Sequence, residues 1–278
     1  MSRPKRHHYV PTAILSGFCY QNDSLWFFSK EQPKKGVRTR NINSVFCKRH
    51  LNTQYIGKDR KPEVGLEYWY SKEFDDYVHR FIEALDDPSK RTALEHDGSF
   101  RRRFVQLIVN LWKRSPEMIF PIADSVIGTT SEALIQSLEA ETGLLESEVR
   151  ERLLNEIDPR IVRQNSIVAG LSHQPILALE LMNEMKIVAV RPVSGKQFII
   201  SSRPVLRIGA RFLGDAEVEI FTPLAPHLAV LFVRKASVQD EIILGRSKVR
   251  SVNHALFNQS LFVGSSSKKL LESLRNSR

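Results

Sequence analysis

Six apolar residues, Leu66, Tyr70, Phe74, Tyr77, Phe81 and Leu85, recur every three to four positions. That spacing lays one apolar stripe along a helix and cannot serve a strand, whose faces alternate at every residue. From residue 186 the pattern changes. KIVAV, KQFIISS, VEIFTPL and LAVLFVRK are short runs rich in β-branched and aromatic residues, the composition of strands. A chain that switches period once, in blocks, predicts an α+β fold with its helices segregated from its sheet. Three subregions follow within one expected domain over residues 1–278: a basic β-hairpin and loop segment at 1–62, a central helical bundle at 63–185, and a mostly antiparallel, β-rich segment at 186–278.

Local signals fill in this outline. SLWFFSK (Ser24 to Lys30) reads as a strand, and its alternation leaves only one of Trp26, Phe27 and Phe28 free to contact a ligand. Ser44 is a candidate N-cap for a short helix through VFCKRHL. Ser99 is a candidate cap for a helix with the stripe Phe100, Phe104, Leu107, Ile108 and Leu111, which should stop before Pro116. Ser115 and Pro116 can start the next helix. Further helices are expected at Ser131–Glu141, Glu146–Glu156 and Pro159–Met185, the last broken at Gly170 or Pro175. RPVSG reads as a hairpin turn between KIVAV and KQFIISS. A short helix over Val252–Gln259, the strand LFVGS and a C-terminal helix complete the pattern.

Charge is distributed unevenly. The net charge is +10. Residues 1–61 hold 13 Lys/Arg against 3 Asp/Glu, and the remainder holds 28 of each. A basic block on a neutral body is the footprint of a surface for a polyanion. Arg3, Lys5, Arg6, Lys34, Lys35, Arg38, Arg40, Lys48 and Arg49 surround Trp26, Phe27 and Phe28. Cations neutralise phosphates and exposed rings stack on bases, so nucleic acid, DNA or RNA, is the expected partner. A solvated basic face, an anionic membrane or an acidic protein are the alternatives. The two cysteines, Cys19 and Cys47, argue against a disulfide scaffold. No apolar run approaches the roughly 20 residues that span a bilayer. The expected setting is therefore cytoplasmic, with no membrane.

The chemistry-bearing candidates begin at KRHHYVP. On a strand, His7 and His8 point to opposite faces, so one can bind a metal while the other acts as a base. Phosphodiester hydrolysis uses that division. The order His-His-x-x-Pro resembles the opening of HNH nucleases. In NINSVFCKRH, Asn41 and His50 have a spacing similar to that family's. The resemblance implies His8 as general base, His7 and His50 as ligands of a divalent metal (Mg, Mn or Zn), and Asn41 as a positioning group. It covers residues 7–53, with a long gap from His8 to Asn41 and no Gly-Gly turn. Otherwise the histidines hold the strand in place through their ring nitrogens. Cys47 and His50, with Cys19 and His7 or His8, also supply enough ligands for tetrahedral zinc. FRRRF (Phe100 to Phe104) places three arginines where they oppose a helix dipole, which suggests Glu95 or Asp97 as partners, or a phosphate contact. No phosphate-binding glycine loop, dinucleotide fingerprint or Gly-x-Ser-x-Gly elbow occurs.

A longer resemblance spans most of the chain. His7, His8, Tyr9, Val10, Pro11, Leu15 and Phe18 resemble the opening of a bacterial family known as domain of unknown function 4238. Arg114-Ser115-Pro116, FIISSRPV (Phe198 to Val205), TPLAP (Thr222 to Pro226) and Asn253 resemble its later landmarks. The family's Asp-Asn pair is Ser202-Arg203 here, a carboxylate replaced and a cation gained. The resemblance implies that the histidine strand and the C-terminal sheet belong to one structure. The resulting expectation is a nucleic-acid-directed protein, a metal-dependent nuclease of toxin or phage-defence type, or alternatively a non-catalytic nucleic-acid-binding protein.

Overall fold

A computed structural model describes residues 6–56, 59–125, 158–210 and 212–277, with positions 136 and 147. Arg3 and Lys5 lie outside the described residues. So do the helices expected at Ser131–Glu141 and Glu146–Glu156, apart from positions 136 and 147.

The fold is α+β. Strand β1 (Arg6–His8) pairs antiparallel with β4 (Cys47–Arg49), His7 opposite Lys48 and His8 opposite Cys47. Between them run α1 (Thr12–Gly17), β2 (Ser24–Ser29) and β3 (Arg38–Asn41). A small hairpin, β5 (Gln54–Ile56) with β6 (Lys61–Glu63), leads into the helices. The helices are α2 (Gly65–Glu73), α3 (Val78–Asp86), α4 (Thr92–His96), α5 (Gly98–Lys113), α6 (residues 116–125), α7 (Pro159–Ser172) and α8 (Ile176–Asn183). The C-terminal part adds β7 (Lys186–Pro192), β8 (Ile200–Ser201), β9 (Leu206–Ile208), β10 (Glu219–Ala225), β11 (Leu228–Val233), β12 (Glu241–Leu244), α9 (Arg246–Gln259), β13 (Phe262–Ser265) and α10 (Lys268–Asn276).

Two larger sheets organise these elements. One has the order β12-β7-β11-β10-β9, antiparallel except where β12 runs parallel to β7. The other has the order β3-β2-β13-β8 and joins the two ends of the chain. The basic N-terminal strands are thus not a separate hairpin: β2 pairs with β3 on one edge and with C-terminal β13 on the other.

The apolar stripe is buried as expected but belongs to two helices. Tyr70 and Phe74 close α2, a single turn at Asp75–Tyr77 follows, and Phe81 and Leu85 lie on α3. These rings join a core that also takes Tyr9, Val10 and Phe18 from the N-terminal segment and Ile187 and Phe232 from β7 and β11. A second apolar cluster packs Phe28, Phe198, Phe257 and Leu271 beneath α9 and α10. Each such side chain contributes about 1.5–3 kcal/mol on leaving water.

Several local expectations are corrected. RPVSG is not a hairpin turn. Ile187 to Val190 are buried on both faces, so β7 needs neighbours on both edges and takes β11 and β12. The chain then crosses to set β8 against β13. The helix expected from Ser44 is a single 3-10 turn, Ile42–Ser44, followed by strand β4. Val45 and Phe46 are buried in the core there, which an exposed helix would not allow. Helix α5 is capped by Asp97 rather than Ser99: its carboxylate accepts the Ser99 and Phe100 amides, each at 3.0 Å. The helix over 159–185 breaks at Pro175, as its proline requires.

Candidate functional site

The histidine pair sits over a buried polar centre. His7 is fully buried, and its Nδ1 accepts the Asn52 amide at 2.7 Å. That bond fixes the ring proton on Nε2. Glu67 Oε2 lies 3.8 Å from the same nitrogen and accepts from the Asn52 side chain. His8 turns the other way. Its Nε2 donates to the Ile42 carbonyl at 3.1 Å, so Nδ1 keeps its lone pair. Burial, followed by the Arg114 guanidinium, holds His8 below its ordinary basicity against the Ile42 bond. The strand backbone is itself gripped: Arg114 donates to the His8 carbonyl.

Arg114 is the pillar of this centre. Only 2% of its side chain is exposed. Its guanidinium stacks 4.3 Å from the Tyr70 ring and 3.9 Å from Asp75 Oδ1. That oxygen is sealed from solvent with no hydrogen-bond partner among the described residues. Burial outweighs Arg114 and raises the Asp75 carboxyl to about 6. Three residues on, Glu117 accepts from the Ser202 hydroxyl and from the Leu261 amide at 2.6 Å. Its second oxygen is buried without a partner among the described residues. The stretch from Arg114 to Glu117, where α5 gives way to α6, therefore ties the histidine strand to the segment Ser202-Arg203.

This convergence brings together HHYVP, RSP and SSRP, which are far apart in sequence. The family described as Protein of unknown function (DUF4238) matches residues 6–267. The chain belongs to this family. No curated protein and no solved structure matches it. The family match takes in nearly the whole chain, whereas the likeness to HNH nucleases rests on residues 7–53. Ser202, where the resemblance led to an aspartate, meets an acid in the fold. An aspartate there would face Glu117, carboxylate against carboxylate; the serine hydroxyl donates to it instead.

The expected metal and catalytic residues do other work in this structure. Asn41 Oδ1 accepts the Asn43 amide at 2.9 Å and caps the 3-10 turn. His50 is not on a helix; it has φ 60° just after β4, and its carbonyl accepts from Gln164 at 2.8 Å. Its Nδ1 lies 3.5 Å from the Thr53 hydroxyl. Among the described residues no group of three or more His, Cys, Asp or Glu side chains is arranged to hold a metal ion. Cys19 and Cys47 are free thiols, and burial raises the pKa of both.

The basic block divides across the β3-β2-β13-β8 sheet. Phe27 is opposite Arg38 and Leu25 opposite Arg40, so both arginines stand on the Phe27 face. There they meet Arg6 in a groove of about 380 Å³, with Gln32, Glu31 and the Phe27 ring in its lining. Lys34 and Lys35 are exposed on a turn beside β3, and Arg49 is exposed on β4. Lys48 departs from the group: its ammonium lies 3.8 Å from the Phe120 ring centre, and burial and Arg163 lower its pKa. Trp26 is the strand aromatic that keeps surface, and it stacks on Tyr20 at 5.1 Å. It lies on the face opposite Phe27, so the arginines and the available ring do not share a surface. The FRRRF arginines also find other partners than Asp97. Arg101 donates to the Asn183 and Met185 carbonyls at the end of α8, and Arg103 pairs with Glu73 at 3.3 Å.

The residues missing from the sequence expectations are Glu67, Asp75, Arg114 and Glu117. Arg114 carried a signal, since it opens one of the family landmarks. The three carboxylates carried none, because nothing in a linear pattern distinguishes a buried acid from the solvated acids of a helix face.

Proposed function

We propose that the protein is nucleic-acid-directed and grips a phosphate backbone through the groove containing Arg6, Arg38 and Arg40. The observation that carries this reading is the register of β2 with β3, which aligns Arg38 and Arg40 on one face beside Arg6. Among the described residues neither Arg6 nor Arg40 is neutralised by a carboxylate there, and Arg38 makes a bond to neutral Gln32 at 3.3 Å. Planar guanidiniums so spaced bind phosphates with two-pronged hydrogen bonds. The test is binding of single- and double-stranded DNA and RNA to the full chain across a salt series. Affinity should fall steeply with salt. Binding that ignores salt, or that Arg38→Glu/Arg40→Glu leaves intact, removes the reading.

A second reading is catalytic, a nuclease of toxin or phage-defence type. It is supported by one feature: a neutral, partly buried His8 whose Nδ1 lone pair is not used by the Ile42 bond. Such a ring can take a proton from water near neutral pH. His7, with Nδ1 bonded to Asn52, would orient the strand. Asn41 caps a turn, and among the described residues no metal-holding group is found. Cleavage of DNA and RNA is assayed without metal and with Mg²⁺, Mn²⁺ or Zn²⁺, comparing wild type with His8→Ala. Equal cleavage by both, or none by either, ends the catalytic reading and leaves the binding one.

A further inference from the structure

A wide groove is on the other side of the β3-β2-β13-β8 sheet, at residues no functional expectation included. It measures about 1010 Å³ and runs between α9, α10 and the turn before β8. Lys196, Arg246, Arg250 and Lys269 line it, with His254 and several serines and amides. Among the described residues no acidic side chain and no Phe, Tyr or Trp ring lines it. None of these four cations forms an ion pair among the described residues. Arg250 Nε donates to His254 Nε2 at 3.4 Å, a neutral contact that leaves the charge uncompensated.

The local chemistry makes this clustering costly. Arg246 and Arg250 stand four residues apart on one face of α9, and like charges at that spacing repel. The first turns of α9 and α10 both lack acidic residues. Both instead carry cations, Arg246 and Lys248 on one, Lys268 and Lys269 on the other, against the helix dipole. Two helix starts with the wrong charge thus open onto one groove. A multiply charged anion seated there relieves both repulsions and receives backbone amides as well.

We propose that this groove binds a small ligand carrying a chain or cluster of phosphate groups. Its size suits a ligand of that class. With no Phe, Tyr or Trp in the lining, successive bases have no stacking platform beyond the single His254 imidazole, which favours an oligophosphate over a nucleic acid strand. The proposal rests on nothing in the proposed function, whose groove is on the opposite sheet face.

The test is calorimetric titration of the full chain with inorganic tripolyphosphate, orthophosphate and a single-stranded oligonucleotide. Tripolyphosphate is expected to bind saturably, about tenfold or more tighter than orthophosphate, because charge-assisted bonds accumulate with each phosphate. Arg250→Gln/Lys269→Gln, both exposed sites, should weaken it about tenfold while circular dichroism stays unchanged. Arg38→Glu/Arg40→Glu should leave it unaltered. Absence of saturable binding overturns the proposal. So does binding that survives Arg250→Gln/Lys269→Gln, or an oligonucleotide that displaces tripolyphosphate from this groove at lower concentration.

Discussion

The two basic surfaces flank one sheet but are assembled differently. The groove at Arg6, Arg38 and Arg40 draws its cations from a segment already rich in positive charge, and a short strand pairing aligns them. The groove at Lys196, Arg246, Arg250 and Lys269 draws its cations from residues 186–278, which hold 15 Lys/Arg against 6 Asp/Glu; the balance over residues 62–278 arises because the helical part, 62–185, holds 13 against 22. Its acids are elsewhere: Glu217 pairs with Lys235, Glu241 with Arg91 and Arg191, and Asp240 with Lys186. A neutral sum over a long stretch therefore conceals a second basic block, whose few acids pair with other cations.

The first surface also rests on something the second lacks, a buried charged pillar. Arg114 holds the β1 backbone through the His8 carbonyl and is the counter-ion of Asp75. Arg114→Met keeps the volume and removes both. The expected loss is about 2–3 kcal/mol of unfolding free energy, because the half-buried Asp75 carboxylate loses its counter-ion and the His8 carbonyl its donor. Urea denaturation measures it. A change under about 1 kcal/mol, the range of an exposed ion pair, would show that the pillar is dispensable and that the two surfaces rest on equivalent ground.

Binding measurements separate the surfaces next. Arg38→Glu/Arg40→Glu should weaken DNA or RNA about tenfold and lower the salt slope by about 0.7–0.9 for each phosphate that is no longer neutralised. Arg250→Glu/Lys269→Glu should leave that slope in place. If the second pair lowers it equally, both grooves belong to one continuous nucleic-acid path, and the comparison fails.

How far the sequence discloses these features follows from what each depends on. The segregation of helices from strands was legible because stripe and alternation are local patterns, and Tyr70, Phe74, Phe81 and Leu85 are buried as their spacing requires. The pairing of β2 with β13 was not legible, since it joins residues far apart in the chain. The histidine pair was legible as a landmark. Its surroundings were not legible: the Asn41-to-His50 spacing suggested a motif, while in the fold Asn41 caps a turn and Asn52, Glu67 and Arg114 attend the histidines.

Acidity gives a smaller but well-signed effect beneath the first surface. Asp75 has its carboxyl raised from 3.8 to about 6. Across that window the folded chain keeps a proton that the unfolded chain has released. Its contribution therefore favours folding at the acid end and is lost as pH rises through the window. His8 acts with the opposite sign: its pKa is lowered from 6.5, so its contribution declines as pH falls below that value. Subtraction isolates the first. The stability difference between wild type and Asp75→Asn should drift against wild type from about pH 4 to about pH 6 and be flat beyond. A level difference across the window would mean that Asp75 ionises as a solvated acid, leaving Arg114 without its buried counter-charge.

The smallest effect is the most telling about the second surface. Arg246 is the first helical residue of α9, after Gly245. In the absence of ligand, Arg246→Glu should stabilise the fold by about 0.5 kcal/mol, because it places a carboxylate at a helix start and removes repulsion with Arg250. The same substitution should weaken tripolyphosphate. Thermal unfolding with and without the anion reads both: the variant is the more stable alone, and wild type gains more on addition. A residue that stabilises nothing by itself yet completes an anion site separates a binding surface from a solvated one. If Arg246→Glu instead destabilises the ligand-free chain, the cations of α9 serve the fold, and the contrast between an aligned basic sheet and a strained basic groove disappears.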